Sequence, residues 1–176
     1  MLPLCMAILI VVSDQLVKEW VRDAFALHEM WSIIPGVFNL TYVRNTGAAW
    51  GMFSGQNLAL SLLAVVMLAL LVIFRRRILP PGRLSAVALG LLCGGIVGNL
   101  LDRLRLDYVV DYLDFYWGTA HFPAFNIADA AICCGVGLYL IGSWTGHGGK
   151  ERAADAAAGP SPQKSETPPS NPRSDA

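Results

Sequence analysis

The chain has 176 residues, of which 55% are hydrophobic and only 15% charged, so it is far more apolar than an ordinary soluble domain of this length. Its 13 basic and 13 acidic residues cancel, which argues against a surface built for nucleic acid or for an acidic partner. The four cysteines all lie in apolar stretches, where a free cysteine packs as a small hydrophobic residue, so no disulfide framework is indicated. The composition therefore predicts a membrane protein.

Four stretches approach the length of about 20 apolar residues that a membrane-spanning helix requires. They cover residues 2–21, 58–74, 84–101 and 124–142. The first is the weakest, because Asp14, Gln15, Lys18 and Glu19 interrupt it, but it lacks the basic leader and cleavage motif of a secretory signal peptide. We therefore predict a membrane α-helical fold with four transmembrane helices.

The loop between the second and third predicted spans carries a cationic cluster with no acidic residue nearby. The cluster consists of Arg75, Arg76, Arg77 and Arg83. The positive-inside rule places such a loop in the cytoplasm. With four spans, both termini are then cytoplasmic, and residues 22–57 and 102–123 face the outside.

Both outer segments contain strand-like sequence. Val37–Val43 is rich in β-branched and aromatic residues and runs into a turn-forming stretch, and Tyr108–Trp117 has a similar extended pattern. They predict a small sheet on the outer membrane surface. Residues 1–145 would form the membrane domain, whereas residues 146–176, rich in Ala, Pro, Ser and Gly, are predicted to be a disordered cytoplasmic tail.

Two carboxylates of the outer segments and spans stand out chemically. Asp111 follows two valines on a segment returning to the membrane, where desolvation raises the pKa of a carboxyl group. Asp114 lies three residues further on, so in a strand it points to the opposite face. Asn126 is spaced by three from Asp129 at the start of the fourth span, where Asn126 can cap the helix and Asp129 lies in the first turn.

Two further polar groups have the spacing of structural pairs. Asp102 and Arg103 follow Asn99 at the end of the third span, and a local ion pair there would keep Asp102 charged and favour a supporting role. Asp14 and Lys18 have the four-residue spacing of an intrahelical ion pair.

Asp111 and Asp129 are the candidate catalytic residues. Two carboxylates held close together at a membrane surface share one proton, because both cannot ionise cheaply. The ionised member then takes a proton from an attacking water, and the protonated member donates to the peptide carbonyl. This pattern predicts an aspartic peptidase.

Three alternatives remain open at this stage. A metal-dependent hydrolase would use Asp111, Asp114, Asp129 and His121 as ligands, although the chain has no HExxH motif. A Ser–Lys peptidase would need Ser13 beside Lys18, but their five-residue spacing places them on diverging helix faces. A small transporter or proton channel would also have carboxylates in its helices, yet no predicted span is polar through its middle.

Five ordered motifs resemble those of lipoprotein signal peptidase, over nearly all of residues 10–145. They are DQLVKEW at Asp14–Trp20, RNTGAAWG at Arg44–Gly51, GNLLDR at Gly98–Arg103, VVDYLDF at Val109–Phe115 and FNIADA at Phe125–Ala130. The resemblance implies four transmembrane helices with a small periplasmic β-cradle in the bacterial inner membrane, and a catalytic pair of Asp111 and Asp129 near the outer face. Residues matching positions that contact substrate or support this pair are Asp14, Asn45, Gly47, Asn99, Asp102, Arg103 and Asn126.

The same resemblance implies a substrate and a reaction. The substrate would be a prolipoprotein with a diacylglyceryl group on its cysteine, which the enzyme cuts just before that cysteine to release the signal peptide. The resemblance further implies membrane lipids as surroundings, inhibition by cyclic peptides of the globomycin type, and no metal or organic cofactor.

Overall fold

Four helices and a small antiparallel sheet make up the described part of the chain, which is residues 1–48, 52–79 and 81–158 of a computed structural model. In chain order the elements are α1 (Leu2–Ala24), β1 (Met30–Ile34), β2 (Phe38–Asn45), α2 (Asn57–Ile78), α3 (Arg83–Leu106), β3 (Val109–Trp117), β4 (Ala120–His121) and α4 (Ile127–Ala158). The predicted combination of long apolar helices and a small sheet is therefore present. The last three residues of the RNTGAAWG motif lie outside the described residues.

Three of the described helices are long and apolar enough to cross a membrane. These segments are Asn57–Arg77, Arg83–Leu106 and Ile127–Trp144. Helix α1 has a comparable length, but Asp14, Lys18 and Glu19 interrupt its apolar sequence, and it is not among these segments.

Helix α3 packs closely against α1 through glycines spaced one turn apart. A Cβ atom added at Gly90 would lie 2.5 Å from Met6 Cβ, and one added at Gly94 would lie 2.8 Å from Ile10 Cβ. A Cβ atom added at Gly98 would lie 2.7 Å from a carboxylate oxygen of Asp14. Small residues at such positions allow helix backbones to approach. Polar groups of α1 are thereby brought against the polar end of α3.

The sheet lies against the C-terminal end of α1 and has the order β1-β2-β3-β4. Val21 and Phe25 form a buried cluster with Tyr42 of β2 and with Val110 and Tyr112 of β3. Strands β2 and β3 correspond to the two predicted strands. Strand β1 was not predicted, because the sequence MWSII shows no alternation of apolar and polar positions. In the structure all five of its residues are exposed.

Helix α4 begins later and continues further than predicted. It starts at Ile127, after Phe125 forms an isolated β-bridge with Leu113, and it is helical through Ala158. The prediction that residues 146–176 form a disordered cytoplasmic tail stays a prediction. Residues 159–176 lie outside the described residues.

Candidate active site

Asp111 and Asp129 line one cavity of about 730 Å³, and they are the only carboxylates among the described residues that do so. Asp111 comes from the middle of β3, and Asp129 comes from the first turn of α4. The remaining walls are mostly apolar and include Phe122, Pro123 and Ile132. The cavity thus combines two acidic groups with a mostly apolar lining at the junction of the sheet and the helices.

The carboxylate of Asp111 is almost fully buried and accepts two side-chain amide hydrogen bonds. Asn45 Nδ2 donates to Oδ2 at 2.9 Å, and Asn126 Nδ2 donates to Oδ1 at 2.7 Å. Burial and then the negative charge of Asp129 raise the pKa of Asp111 to about 7, against the opposing effect of the two amides. Asp111 is therefore poised to hold a proton near neutral pH.

Asp129 belongs to a reciprocal cap at the start of α4. Its backbone N–H donates to Asn126 Oδ1 at 3.0 Å, while Asn126 N–H donates to Asp129 Oδ2 at 3.2 Å. Asn99 Nδ2 donates to the other carboxylate oxygen of Asp129 at 2.7 Å. The predicted capping role of Asn126 is confirmed, and the same side chain also bonds Asp111.

Asn45, Gly47 and Arg103 form one side of the cavity. Gly47 N–H donates to Asn45 Oδ1 at 2.9 Å, and Arg103 Nη2 donates to the Gly47 carbonyl at 3.1 Å. The positive charge of Arg103 also interacts with Asp129 and Asp111. The turn after β2 is therefore fixed so that Asn45 faces the acidic pair.

A buried ion cluster joins α1 to α3 without lining the cavity. Lys18 Nζ contacts Asp14 Oδ2 at 2.8 Å and Asp102 Oδ2 at 3.0 Å, and all three side chains are at most 2% exposed. The predicted Asp14–Lys18 pair is confirmed. The expected local pair of Asp102 with Arg103 is wrong, because neighbouring helix residues point in different directions and α1 supplies the cation instead.

Asp114 is buried elsewhere. It accepts a hydrogen bond from Asn39 Nδ2 at 2.9 Å and lies 2.8 Å from His121 Nδ1, and it does not line the cavity. This matches the expectation that only one of the two strand carboxylates faces the site. The four residues considered as metal ligands are therefore divided between two places, and the described residues contain no group of three or more His, Cys, Asp or Glu side chains placed to hold a metal ion.

The Ser13 and Lys18 side chains also do not meet. Ser13 Oγ donates to the carbonyls of Leu9 and Ile10 in its own helix, and Lys18 Nζ is occupied by acidic and amide partners. A nucleophile and its base must lie within hydrogen-bond reach of each other. This arrangement does not provide a Ser–Lys site.

Sequence reasoning missed two contacts between helices that support the site. Gln15 Nε2 donates to Asp102 Oδ1 at 2.9 Å, and Lys18 reaches Asn99 Oδ1 at 2.9 Å on a neighbouring helix. The pairing of Lys18 with Asp14 was visible from their spacing, but contacts across helices depend on the close packing at Gly98. The signal in the sequence was the run of polar residues from Asp14 to Glu19 within the otherwise apolar α1, since polar residues in such a helix usually have buried polar partners.

The chain is similar in sequence to known proteins. The family model described as Signal peptidase (SPase) II matches residues 6–145. A protein of Shewanella pealeana named "Lipoprotein signal peptidase" is 46% identical over 143 residues, which cover 78% of this chain and 82% of the relative. The protein of that name from Syntrophotalea carbinolica is 41% identical over 144 residues, which cover 80% of this chain and 89% of the relative.

Two solved structures of bacterial membrane enzymes are also similar. One, at 1.9 Å resolution, is 34% identical with a TM-score of 0.71, and the match covers 79% of this chain and 90% of that chain. The other, at 2.3 Å resolution, is 29% identical with a TM-score of 0.73, and the match covers 95% of this chain and 94% of that chain. The sequence and structural matches together show that the chain belongs to the signal peptidase II family of membrane peptidases.

Proposed function

We propose that this chain is an aspartic endopeptidase that cleaves diacylglyceryl-modified prolipoproteins just before the lipidated cysteine. The observation that carries this proposal is the pair of carboxylates, Asp111 and Asp129, facing one largely apolar cavity where the sheet meets the helices. Family membership gives the class of substrate. The paired acids give the means of activating water.

The two acids have different surroundings, which suggest different roles. Asp129 lies in the first turn of α4, where the helix dipole and hydrogen bonds from Asn99 Nδ2 and the Asn126 N–H favour a carboxylate. Asp111 is more deeply buried and holds a proton near neutral pH. Asp129 is therefore the general base and Asp111 the general acid.

The reaction follows from these roles. Asp129 takes one proton from a water molecule while the water oxygen bonds to the scissile carbonyl carbon, and Asp111 donates its proton to the carbonyl oxygen. The tetrahedral diol then collapses, as the carbon–nitrogen bond breaks and the proton held by Asp129 passes to the leaving cysteine nitrogen. A hydroxyl proton returns to Asp111, which restores both acids and consumes one water molecule.

The cavity wall suits a substrate that remains in the membrane. Phe122, Ile132 and Cys133 line it beside the acids, and Cys133 is exposed on the membrane-spanning part of α4. Such a wall can receive the acyl chains without moving them out of the surrounding lipid. The same cavity is where we expect a globomycin-type cyclic peptide to bind.

Charge placement supports a specific orientation with four spans in the inner membrane. The last turn of α2 carries Arg75, Arg76 and Arg77, and Arg83 begins α3, so this end belongs on the cytoplasmic side. Asn99 and Arg103 lie near the opposite end of α3, beside the sheet. With α1 as a fourth span, the sheet and the active site lie at the periplasmic surface and both termini are cytoplasmic.

A cleavage assay with matched substrates tests this proposal. We would incubate the detergent-purified protein with a diacylglyceryl-modified prolipoprotein and with the same precursor lacking the lipid, and identify the products by mass spectrometry. We expect release of the signal peptide from the lipidated precursor alone, leaving the lipidated cysteine as the new N-terminus. Equal cleavage of both precursors, or cleavage at another bond, would contradict the proposal.

A further inference from the structure

Three asparagine amides donate to the acidic pair, and each must point its NH₂ group the right way. Asn45 and Asn126 donate to Asp111, and Asn99 donates to Asp129. An amide turned by half a rotation would present its oxygen to a carboxylate and repel it. The dyad therefore depends on whatever fixes these three orientations.

The oxygen of each amide accepts a hydrogen bond from a group that cannot act as an acceptor, and this bond fixes the orientation of the amide. The oxygen of Asn45 accepts from the backbone N–H of Gly47, and that of Asn126 accepts from the backbone N–H of Asp129. The oxygen of Asn99 accepts from Lys18 Nζ at 2.9 Å and, over a longer distance, from Asn126 Nδ2 at 3.2 Å. A backbone N–H and an ammonium group cannot accept, so in all three amides the oxygen faces the donor and the NH₂ group faces a carboxylate.

We propose that Lys18 is a positioning residue for the catalytic reaction, because its ammonium group sets the orientation of Asn99 and thereby the donor that holds Asp129. The inference rests on the proposed function. The amides of Asn45 and Asn126 are set by backbone groups within their own turn or cap. The oxygen of Asn99 accepts from side chains instead, and the shorter of its two bonds comes from Lys18 of α1. Lys18 does not line the cavity, so it acts without touching the substrate.

The ion cluster around Lys18 also reaches the backbone next to both catalytic residues. Asp14 Oδ1 accepts from the N–H of Ala128, which precedes Asp129, at 3.0 Å. Asp102 Oδ2 accepts from the N–H of Val110, which precedes Asp111, at 3.0 Å. Lys18 lies between these two carboxylates, so one buried cation links α1 and α3 to the segments that carry the dyad.

Replacement of Lys18 by methionine removes the charge and the donor while keeping a similar length. Asn99 Oδ1 then keeps only the longer bond from Asn126 Nδ2 at 3.2 Å, so the amide is held less firmly against Asp129. We expect kcat to fall by about a hundredfold, the cost of a small misplacement at a reacting group. Because Lys18 makes no contact in the cavity, KM should change by less than about twofold.

The pH profile separates an effect of Lys18 on the acidic pair from a loss of folded protein. The charged groups acting on Asp111 are Asp129, Lys18 and Arg103, and the positive charge of Lys18 lowers the pKa of Asp111. Its removal should move the limbs of the pH–rate profile to higher pH. A loss of folded protein alone would scale the profile without moving it.

Two further variants complete the experiment. Arg22→Met is the matched control, because it removes one cation one turn further along α1, where Arg22 pairs with Glu19 away from the cavity. Lys18→Met/Asp102→Asn removes the cation together with one of its acidic partners, so it leaves one fewer unpaired charge buried than Lys18→Met does. If Lys18→Met does not fold, this double variant provides the test. We would measure kcat, KM, the pH profile and thermal unfolding for all variants in detergent, using the lipidated precursor.

We expect Lys18→Met and the double variant to lose kcat and shift the profile, and Arg22→Met to match the wild type. A folded Lys18→Met or double variant with wild-type kcat and an unshifted profile would overturn the proposal. Absence of cleavage by the wild type would instead refute the proposed function, so the two failures are distinguishable.

Discussion

Gly98 lies where α3 passes Asp14 of α1, and the structure leaves no room there for a methyl group. The added carbon would lie 2.7 Å from Asp14 Oδ2 and 3.2 Å from Ala128 Cβ, well inside the separation of about 3.5 Å at which nonbonded atoms attract. Asp14 cannot simply turn aside, because Lys18 and the N–H of Ala128 hold its two oxygens.

The magnitude follows from two opposing terms. Overpacking costs about 1–3 kcal/mol, and alanine gains about 0.5–1 kcal/mol over glycine within a helix, so Gly98→Ala should lower the free energy of unfolding by about 1 kcal/mol, and by about 2.5 kcal/mol at most. In a chain of this length each kcal/mol corresponds to about 2–4 °C, which predicts a fall in Tm of about 2–4 °C, and of about 10 °C at most.

Gly137→Ala is the matched control, because a carbon added at Gly137 of α4 meets no atom within 4 Å. This variant should keep or slightly raise the Tm. Thermal unfolding of both variants in the same detergent provides the comparison. A Gly98→Ala protein as stable as Gly137→Ala would refute the close packing of α1 against α3 on which the buried ion cluster depends.

Two further predictions concern Asp111. Asn45→Ala removes a donor to Asp111, so kcat should fall by about tenfold or more. The control Asn39→Ala removes the equivalent donor to Asp114 outside the cavity, and its kcat per folded molecule should stay near the wild-type value. Equal losses of kcat in the two variants would contradict this assignment. Burial raises the pKa of Asp111 from 3.8 to about 7, so within this window the folded state holds a proton that the unfolded chain has released, and stability falls as the pH rises. The Tm difference between about pH 5 and about pH 8 should therefore be smaller in Asp111→Asn than in the wild type, and an unchanged difference would contradict the shifted pKa.

Local patterns predicted a large part of the site. The valines before Asp111 predicted its desolvation, the spacing of Asn126 and Asp129 predicted the cap of α4, and the four-residue spacing predicted the Asp14–Lys18 pair. The strand pattern also placed Asp111 and Asp114 on different faces. Each of these predictions depends on a few neighbouring residues, which a single sequence displays directly.

Contacts between distant segments were not predictable in the same way. Lys18 bonds Asn99 and Asp102 because glycines bring α1 against α3, and the sequence gives neither the register nor the rotation of one helix against the other. The pairing expected between Asp102 and Arg103 was wrong for this reason. Strand β1 was missed because an exposed apolar edge has no period-two pattern.

The most direct test of the proposed catalytic pair is single-turnover cleavage of a diacylglyceryl-modified prolipoprotein by Asp111→Asn, Asp129→Asn and Asp114→Asn. Each asparagine keeps the size of the side chain but cannot exchange a proton in the reaction. The structure predicts that the first two variants fold without cleaving, while Asp114→Asn, whose side chain lies outside the cavity, still cleaves. Normal cleavage by either Asp111→Asn or Asp129→Asn would contradict the proposed mechanism.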